Sequence, residues 1–197
     1  MSNKRMAKVF RETAETSVKV VFCLDGSGNG EITTGVRIFD HFLLQLSRHG
    51  VFDIEIAAGG SDAHHVVEDV AICLGRAFAQ ALGNKQGIVR MAHTIAPMDD
   101  ALVMVAVDIG GRGYSSIEAA FSEPDIGDMP ADLVRHFFET FAAEAKLNLH
   151  AKVLSGINSH HKAEALFKAL AKTLDAAVQI DHRISAKVPS TKEIIDG

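Results

Sequence analysis

Two adjacent histidines followed three residues later by a glutamate occur twice in this chain, as His64-His65-Val66-Val67-Glu68 and as His160-His161-Lys162-Ala163-Glu164. Imidazoles and carboxylates are strong ligands for divalent cations. Successive helical residues turn by about 100°, which sets His64 at about 0°, Glu68 at about 40° and His65 at about 100°. One arc presents all three groups, with the carboxylate between imidazoles that diverge. Neighbouring histidines reach one ion with difficulty, so the pattern fits two ions better than one. A solitary His-His pair is ordinarily a surface accident, and the second copy removes that reading. Aligned on the motif, the copies also share Leu74 with Leu170 and Ala81 with Ala177, and both run on into apolar helical sequence. Repeated chemistry on a repeated scaffold points to a duplicated half-domain that binds metal.

Other residues could serve the same pocket. Asp40-His41 opens an amphipathic segment, and His150 stands in a strand shortly before the second pair, from where it can point at the same site. Arg90, Arg112, Lys168 and Lys192 are candidate anion binders. Gly110, Gly111 and Gly113 around Arg112 allow close backbone approach to a ligand. Lys168 lies one helical turn beyond Glu164 and so shares its face. Pro189-Ser190-Thr191-Lys192 combines hydroxyls, backbone N–H groups and a cation, as a phosphate clip would. Asp25-x-Ser27-x-Asn29-Gly30 has the look of a calcium loop, but the bidentate glutamate would fall at Val36, which leaves a tight turn. Its glycines also lack dinucleotide-loop spacing.

The elements that must position these groups follow from hydrophobic period. Strands are expected at 16–24, 51–57, 101–108 and 147–154, and helices at 38–48, 63–82, roughly 130–145 and 159–178. The tail after Asp181 has little pattern. Each half runs from strand to helix to strand to helix, which predicts an α/β (α+β) layered fold with helices on one face of a sheet in each half. Residues 1–92 and 93–197 are the expected half-domains, the second carrying the phosphate-clip tail. The 197 residues, 47% hydrophobic and 23% charged, suffice for a proper core. A net charge of −5 supplies no global basic field, so neither nucleic acid nor anionic membrane is an expected partner. Cys23 and Cys73 sit in apolar segments without CxxC spacing and read as reduced core residues. The start carries no apolar signal region, and the stretch from Ala101 to Val107 is too short to span a bilayer, so a cytoplasmic protein is expected.

Taken together, the motifs resemble those of the imidazoleglycerol-phosphate dehydratase family over nearly the whole chain. The resemblance rests on Leu24-Asp25-Gly26-Ser27-Gly28, Phe39-Asp40-His41, Gln45-Leu46-Ser47-Arg48-His49-Gly50, His64-His65-x-x-Glu68-Asp69-Val70 and Gly87-Ile88-x-Arg90. It continues through Gly111-Arg112-x-Tyr114, Asn158-Ser159-His160-His161-x-x-Glu164-Ala165-x-Phe167-Lys168-Ala169 and Pro189-Ser190-Thr191-Lys192. It implies a hydro-lyase of histidine biosynthesis that converts D-erythro-imidazole-glycerol phosphate to imidazole-acetol phosphate. It implies two tandem half-domains, each a four-stranded mixed sheet backed by helices, and two manganese ions per site. It further implies sites where subunits meet, with trimers assembled into a 24-subunit shell.

Carried over residue by residue, the resemblance implies His41, His64, His65, Glu68, His150, His160, His161 and Glu164 as metal ligands. Arg90, Arg112, Lys168, Ser190, Thr191 and Lys192 would hold the substrate, chiefly its phosphate, with Gln45, Arg48 and His49 lining the pocket. Glu15 corresponds to an active-site glutamate of the family, and with His64, Glu68 and Glu164 makes the expected catalytic set. The substrate loses hydrogen from an unactivated carbon bearing a hydroxyl, and its imidazole ring is the only electron sink available. A carboxylate beside cations stays ionised, so Glu15 is the expected proton-transferring base. Arg37, Leu44, Ala63, Val66 and Gly113 depart from the family pattern, and the changes at 63 and 66 remove polar groups that would tune the flanking ligands. A di-metal hydrolase and a non-catalytic metal-binding shell protein are the alternatives; the first ordinarily carries more bridging carboxylates, and the second has no need of Glu15, Arg112 or Lys192.

Overall fold

The computed structural model describes residues 4–184 and 187–195; residues 1–3, 185–186 and 196–197, two of these stretches in the unpatterned tail, lie outside that description. In the first half, β1 (Met6–Glu12), β2 (Thr16–Cys23) and β3 (Gly30–Thr33) precede α1 (Arg37–Gly50), β4 (Asp53–Gly60) and α2 (Ala63–Leu82). The second half repeats the series with β5 (Met91–Met98), β6 (Ala101–Asp108) and β7 (Tyr114–Glu118), then α3 (Asp132–Ala145), β10 (Asn148–Ser155) and α4 (Ser159–Val178). A small hairpin, β8 (Asp125–Ile126) and β9 (Met129–Pro130), is inserted before α3.

Both sheets have one topology. The strand orders are β1-β2-β4-β3 and β5-β6-β10-β7. In each the last strand pairs parallel and the others antiparallel. The expected pair of four-stranded mixed sheets is therefore present, and the halves are duplicates in topology. Alternation sends Val18, Val20 and Phe22 of β2, and Val103, Val105 and Val107 of β6, to the helix-covered face.

Helices start where side chains satisfy orphan N–H groups. Asp62 accepts from the backbone N–H of His65 at 3.0 Å, and Asn158 from that of His161 at 3.1 Å. These matching caps set where both histidine pairs enter their helices. α1 has no cap of its own, because Val36 carries no acceptor. Asp128, from the β8–β9 turn, accepts from the N–H groups of Arg37 and Ile38 instead, each at 2.9 Å.

The helices of the two halves pack on each other, α1 against α4 and α2 against α3. Aromatic rings fill the seam. Phe39 and Phe42 of α1 lie 5.5 Å and 5.2 Å from Phe137 of α3 and Phe167 of α4, and Phe137 and Phe167 are themselves 5.0 Å apart. All four are fully buried. Each such ring is worth about 1.5–3 kcal/mol in removed surface, and each well-placed pair about 0.5–1.5 kcal/mol more. Cys23 and Cys73 are buried and unpaired as expected. No helix among the described residues is long and apolar enough to cross a membrane.

All four expected helices and all four expected strands are present, with ends shifted by at most three residues. β1, β3, β5, β7 and the β8–β9 hairpin are additional. β1 and β5 are edge strands with half-exposed patterns, and β3 and β7 are short strands whose partner β4 or β10 lies across an intervening helix in sequence. β5 begins at Met91, two residues ahead of the expected 92/93 division.

At the α2–α3 crossing a side chain on Gly75 would lie 2.9 Å from both Phe141 O and Ala145 N. Gly75→Val should therefore force the helices apart and cost about 1–3 kcal/mol. Guanidinium unfolding followed by circular dichroism measures this; a variant as stable as the parent would show that the crossing is not tight.

Candidate metal centres

The repeated motif opens both α2 and α4, and the seam brings a further histidine to each. On α4, Glu164 Oε2 lies 3.0 Å from His160 Nε2 and 2.9 Å from Nε2 of His41, which projects from the start of α1. The two imidazoles stack with centroids 5.6 Å apart. On α2, His64 and Glu68 meet His136 from the start of α3, with the His64 and His136 rings 5.0 Å apart and also stacked. Each trio places its ligand atoms within 4.8 Å of one another. Bonds of about 2.1 Å to one cation would bring donors to that spread.

Two observations show that these trios fit a divalent ion. His136 Nε2 is buried with no hydrogen-bond partner, its nearest carboxylate oxygen, Glu68 Oε1, being 3.8 Å away. A ring nitrogen so placed costs free energy unless something else binds it. The donor set, two imidazoles and one carboxylate, is also that of borderline divalent metals.

The trios differ in electrostatics. Burial by itself would raise the pKa of Glu164, but a 2.8 Å ion pair with Lys168 and the bond from His41 outweigh it and hold the carboxyl at about 2. The corresponding position on α2 is Ile72, so Glu68 has no such lysine and is more exposed.

The second histidine of each pair turns away from its own trio, as the helical angles predict. The His64 and His65 rings stand at 88° to each other, and those of His160 and His161 at 82°. His65 Nδ1 is 2.7 Å from Asp62 Oδ2, though off the line of a proper hydrogen bond, and its Nε2 is 3.6 Å from Glu15 Oε2. His161 Nδ1 is hydrogen-bonded to Asp100 Oδ1 at 2.6 Å, with Asp99 Oδ2 3.5 Å from Nε2.

Seven of the eight expected ligands thus stand on or beside these centres; His150 does not. Leu149 and Ala151 take the helix-covered face of β10, so alternation turns His150 to the open face, where it is exposed and its ring lies 5.8 Å from that of Tyr114. His136, absent from the expected set, stands with His64 and Glu68 in the α2 trio instead. One signal was available: His41-Phe42 and His136-Phe137 are each the fifth and sixth residues of the helix before the second sheet-central strand of their half.

Among the expected anion binders, Arg90, Arg112, Ser190, Thr191 and Lys192 line one cavity of 640 Å³. Arg90 is fixed there by Asp108 at 2.6 Å and by the carbonyl of Pro189 at 2.7 Å. Lys168 is not among them, because Glu164 holds it. Gln45, Arg48 and His49 continue α1 beyond His41; Gln45 Nε2 donates to His41 O at 3.4 Å, and burial together with Lys168 and Lys172 lowers the pKa of His49. The cavity shares no lining residue with either trio.

Residues 34–174 match the sequence model of a family described as imidazoleglycerol-phosphate dehydratase. A protein of that name from Dehalococcoides mccartyi is 55% identical over 193 residues, 98% of either chain. One from Methanothermobacter thermautotrophicus is 48% identical over 195 residues, again 98% of either chain. The crystal structure of the Staphylococcus aureus enzyme of that name superposes with a TM-score of 0.82 at 31% identity, over 89% of this chain and 99% of the other. The Pyrococcus furiosus structure gives 0.82 at 33% identity, over 94% and 99%.

Because Glu164 titrates below its ordinary value of 4.5, its stabilising contacts are complete above that pH and are lost as pH falls toward 2. Lys168→Met should lower the stability of the metal-free protein at pH 7 by roughly 1–3 kcal/mol. The two proteins should converge as pH approaches 2. Denaturant titrations across this range test it; an equal deficit at every pH would assign the loss to packing alone.

Proposed function

The chain belongs to the imidazoleglycerol-phosphate dehydratase family, and from that premise we propose how its residues divide the dehydration of D-erythro-imidazole-glycerol phosphate to imidazole-acetol phosphate. As a carbon–oxygen hydro-lyase of histidine biosynthesis, it must hold an imidazole ring, hold a phosphate and move protons at the carbons between them. The observation that carries the division is the pair of cross-half trios, His41/His160/Glu164 and His64/Glu68/His136, with the unpartnered His136 Nε2 aimed into the second.

Each trio is proposed to hold one Mn²⁺, giving two per active site. The cations supply Lewis-acid stabilisation of negative charge on the substrate's imidazole. His65 and His161 face away from their own trios and are proposed to complete a centre on a neighbouring copy, which raises each ligand set to four. That division supports active sites where subunits meet, in trimers and a 24-subunit shell. The exposed apolar side chains Phe10, Met91, Ile95 and Ile157 support burial against further copies. So does the separation of the anion cavity from the trios within one chain. The two half-domains, residues 1–92 and 93–197, are part of the same proposal, supported by the repeated sheet topology. A cytoplasmic location and the lack of a nucleic-acid partner belong to the same proposal, the latter in keeping with the net charge of −5.

Arg90, Arg112, Ser190, Thr191 and Lys192 bind the phosphate, Arg112 and Lys192 supplying the cations that Asp108 does not neutralise. Lys168 keeps Glu164 ionised and oriented. Gln45, Arg48 and His49 line the substrate side of α1. Glu15 stands on the β1–β2 turn beside His65, its side chain 59% exposed and free to meet a substrate. It takes the proton from the carbon that keeps its hydroxyl. The hydroxyl on the ring-bearing carbon leaves, protonated to water, and the enol so formed tautomerises to the ketone. Removing such a base costs about 10²–10⁴-fold in rate.

Turnover with and without Mn²⁺, read as imidazole-acetol phosphate formed, tests the assignment together with metal content. Glu15→Gln should retain metal and lose at least 100-fold in kcat, within the range expected for a general base. His136→Ala should lose both metal and turnover, and His150→Ala should lose neither metal nor the chemical step. Full metal loading and turnover in His136→Ala would overturn the ligand assignment, and parental kcat in Glu15→Gln would remove Glu15 from its role.

A further inference from the structure

His161 is clamped more firmly than its counterpart in the first half, by a carboxylate from outside its helix. Asp100, in the two-residue turn between β5 and β6, spends one oxygen on backbone and the other on the ring. Its Oδ2 accepts from the N–H groups of Ile157 at 2.5 Å and Asn158 at 3.1 Å, the two residues that lead into α4. Its Oδ1 lies 2.6 Å from His161 Nδ1. The backbone N–H of His161 is meanwhile held by Asn158 Oδ1 at 3.1 Å. Ring and backbone are thereby tied to one turn of chain more than fifty residues away.

An ionised carboxylate only accepts, so the ring nitrogen facing it must carry the proton. That fixes His161 as the Nδ1–H tautomer and leaves the lone pair on Nε2, the nitrogen that the exposed Asp99 carboxylate approaches to 3.5 Å. In the first half the helix cap itself, Asp62, stands beside His65 Nδ1. In the second half the cap is Asn158, an uncharged amide occupied with backbone, so the carboxylate has to come from another element. Asp100 replaces by tertiary packing what Asp62 supplies locally.

We propose that Asp100 is a positioning residue for metal binding: it fixes the tautomer and direction of His161 so that Nε2 is presented as a ligand. Carboxylates behind ligating histidines typically change metal affinity by about 10–100-fold. The inference rests on the reading of His161 as a metal ligand, and the two fail separately.

Mn²⁺ binding to the full chain, followed by loss of the free-ion electron paramagnetic resonance signal, tests it in a double-mutant cycle. Asp100→Ala should weaken the binding that depends on His161 by about 10–100-fold in the parental background. In the His161→Ala background the same change should cost less than about twofold, since the ring it serves is gone. Asp100→Asn, which keeps a carbonyl oxygen for the backbone, should lose affinity in the same direction with little change in thermal stability and stands in if the alanine variant does not fold. Unchanged Mn²⁺ affinity in both Asp100 variants, or equal losses in both backgrounds, would overturn the proposal. Mn²⁺ affinity unaffected by His161→Ala itself would instead remove His161 from the ligand set, and Asp100 with it.

Discussion

Each trio of candidate ligands takes members from both halves of the duplicated fold, so neither half alone can form a centre. His41 reaches His160 and Glu164 only because α1 packs on α4, and His136 reaches His64 and Glu68 only because α2 packs on α3. The seam of stacked phenylalanines holds these crossings. Phe42 is next in chain to His41, and Phe137 next to His136, so the residue that anchors each helix in the seam also places its histidine. A shift of one helix along its partner would move an imidazole by more than a metal–ligand bond tolerates. Dense aromatic packing resists such sliding. The geometry of the chemistry is in this sense a by-product of the core.

The Glu15 turn is tied to the same framework by polar contacts. Thr16 Oγ1 donates to Asp69, which follows Glu68 on α2 and is itself buried, and Arg11 Nε donates to the other oxygen of Asp69 at 2.7 Å. Thr13 Oγ1 accepts from the backbone N–H groups of Glu15 at 3.1 Å and Thr16 at 3.0 Å. The proposed base is thus carried by a turn pinned to the helix that bears the first histidine pair. Asp69 and Asp100 serve in similar ways, each linking a hairpin turn to the start of a motif helix. The Thr16–Asp69 contact is buried and the Arg11–Asp69 pair partly so, and satisfied polar contacts of that kind specify one arrangement where apolar packing would tolerate several.

Much of this was legible in the sequence, for reasons of period and repetition. The motif helices, at 63–82 and 159–178, are legible because the apolar period that marks them is a local signal. The divergence of paired histidines followed from helical geometry alone. What escaped reading was non-local. The cap of α1 is Asp128, some ninety residues on, and β3 and β7 form their sheets by parallel pairing across intervening elements. His150 stands near the second pair in sequence, yet strand alternation turns its side chain to the open face of the sheet. His136 is distant from the first pair in sequence and is brought to it by the α2–α3 crossing.

The most direct test of the central claim is a crystal structure of the Mn²⁺-loaded protein, with anomalous scattering used to place the ions. The account predicts two peaks per chain, one bonded to His41, His160 and Glu164 and the other to His64, Glu68 and His136, each joined by a second-position histidine, His65 or His161, from a neighbouring copy. A peak bonded to His150, or ions held by ligands from one half alone, would contradict it.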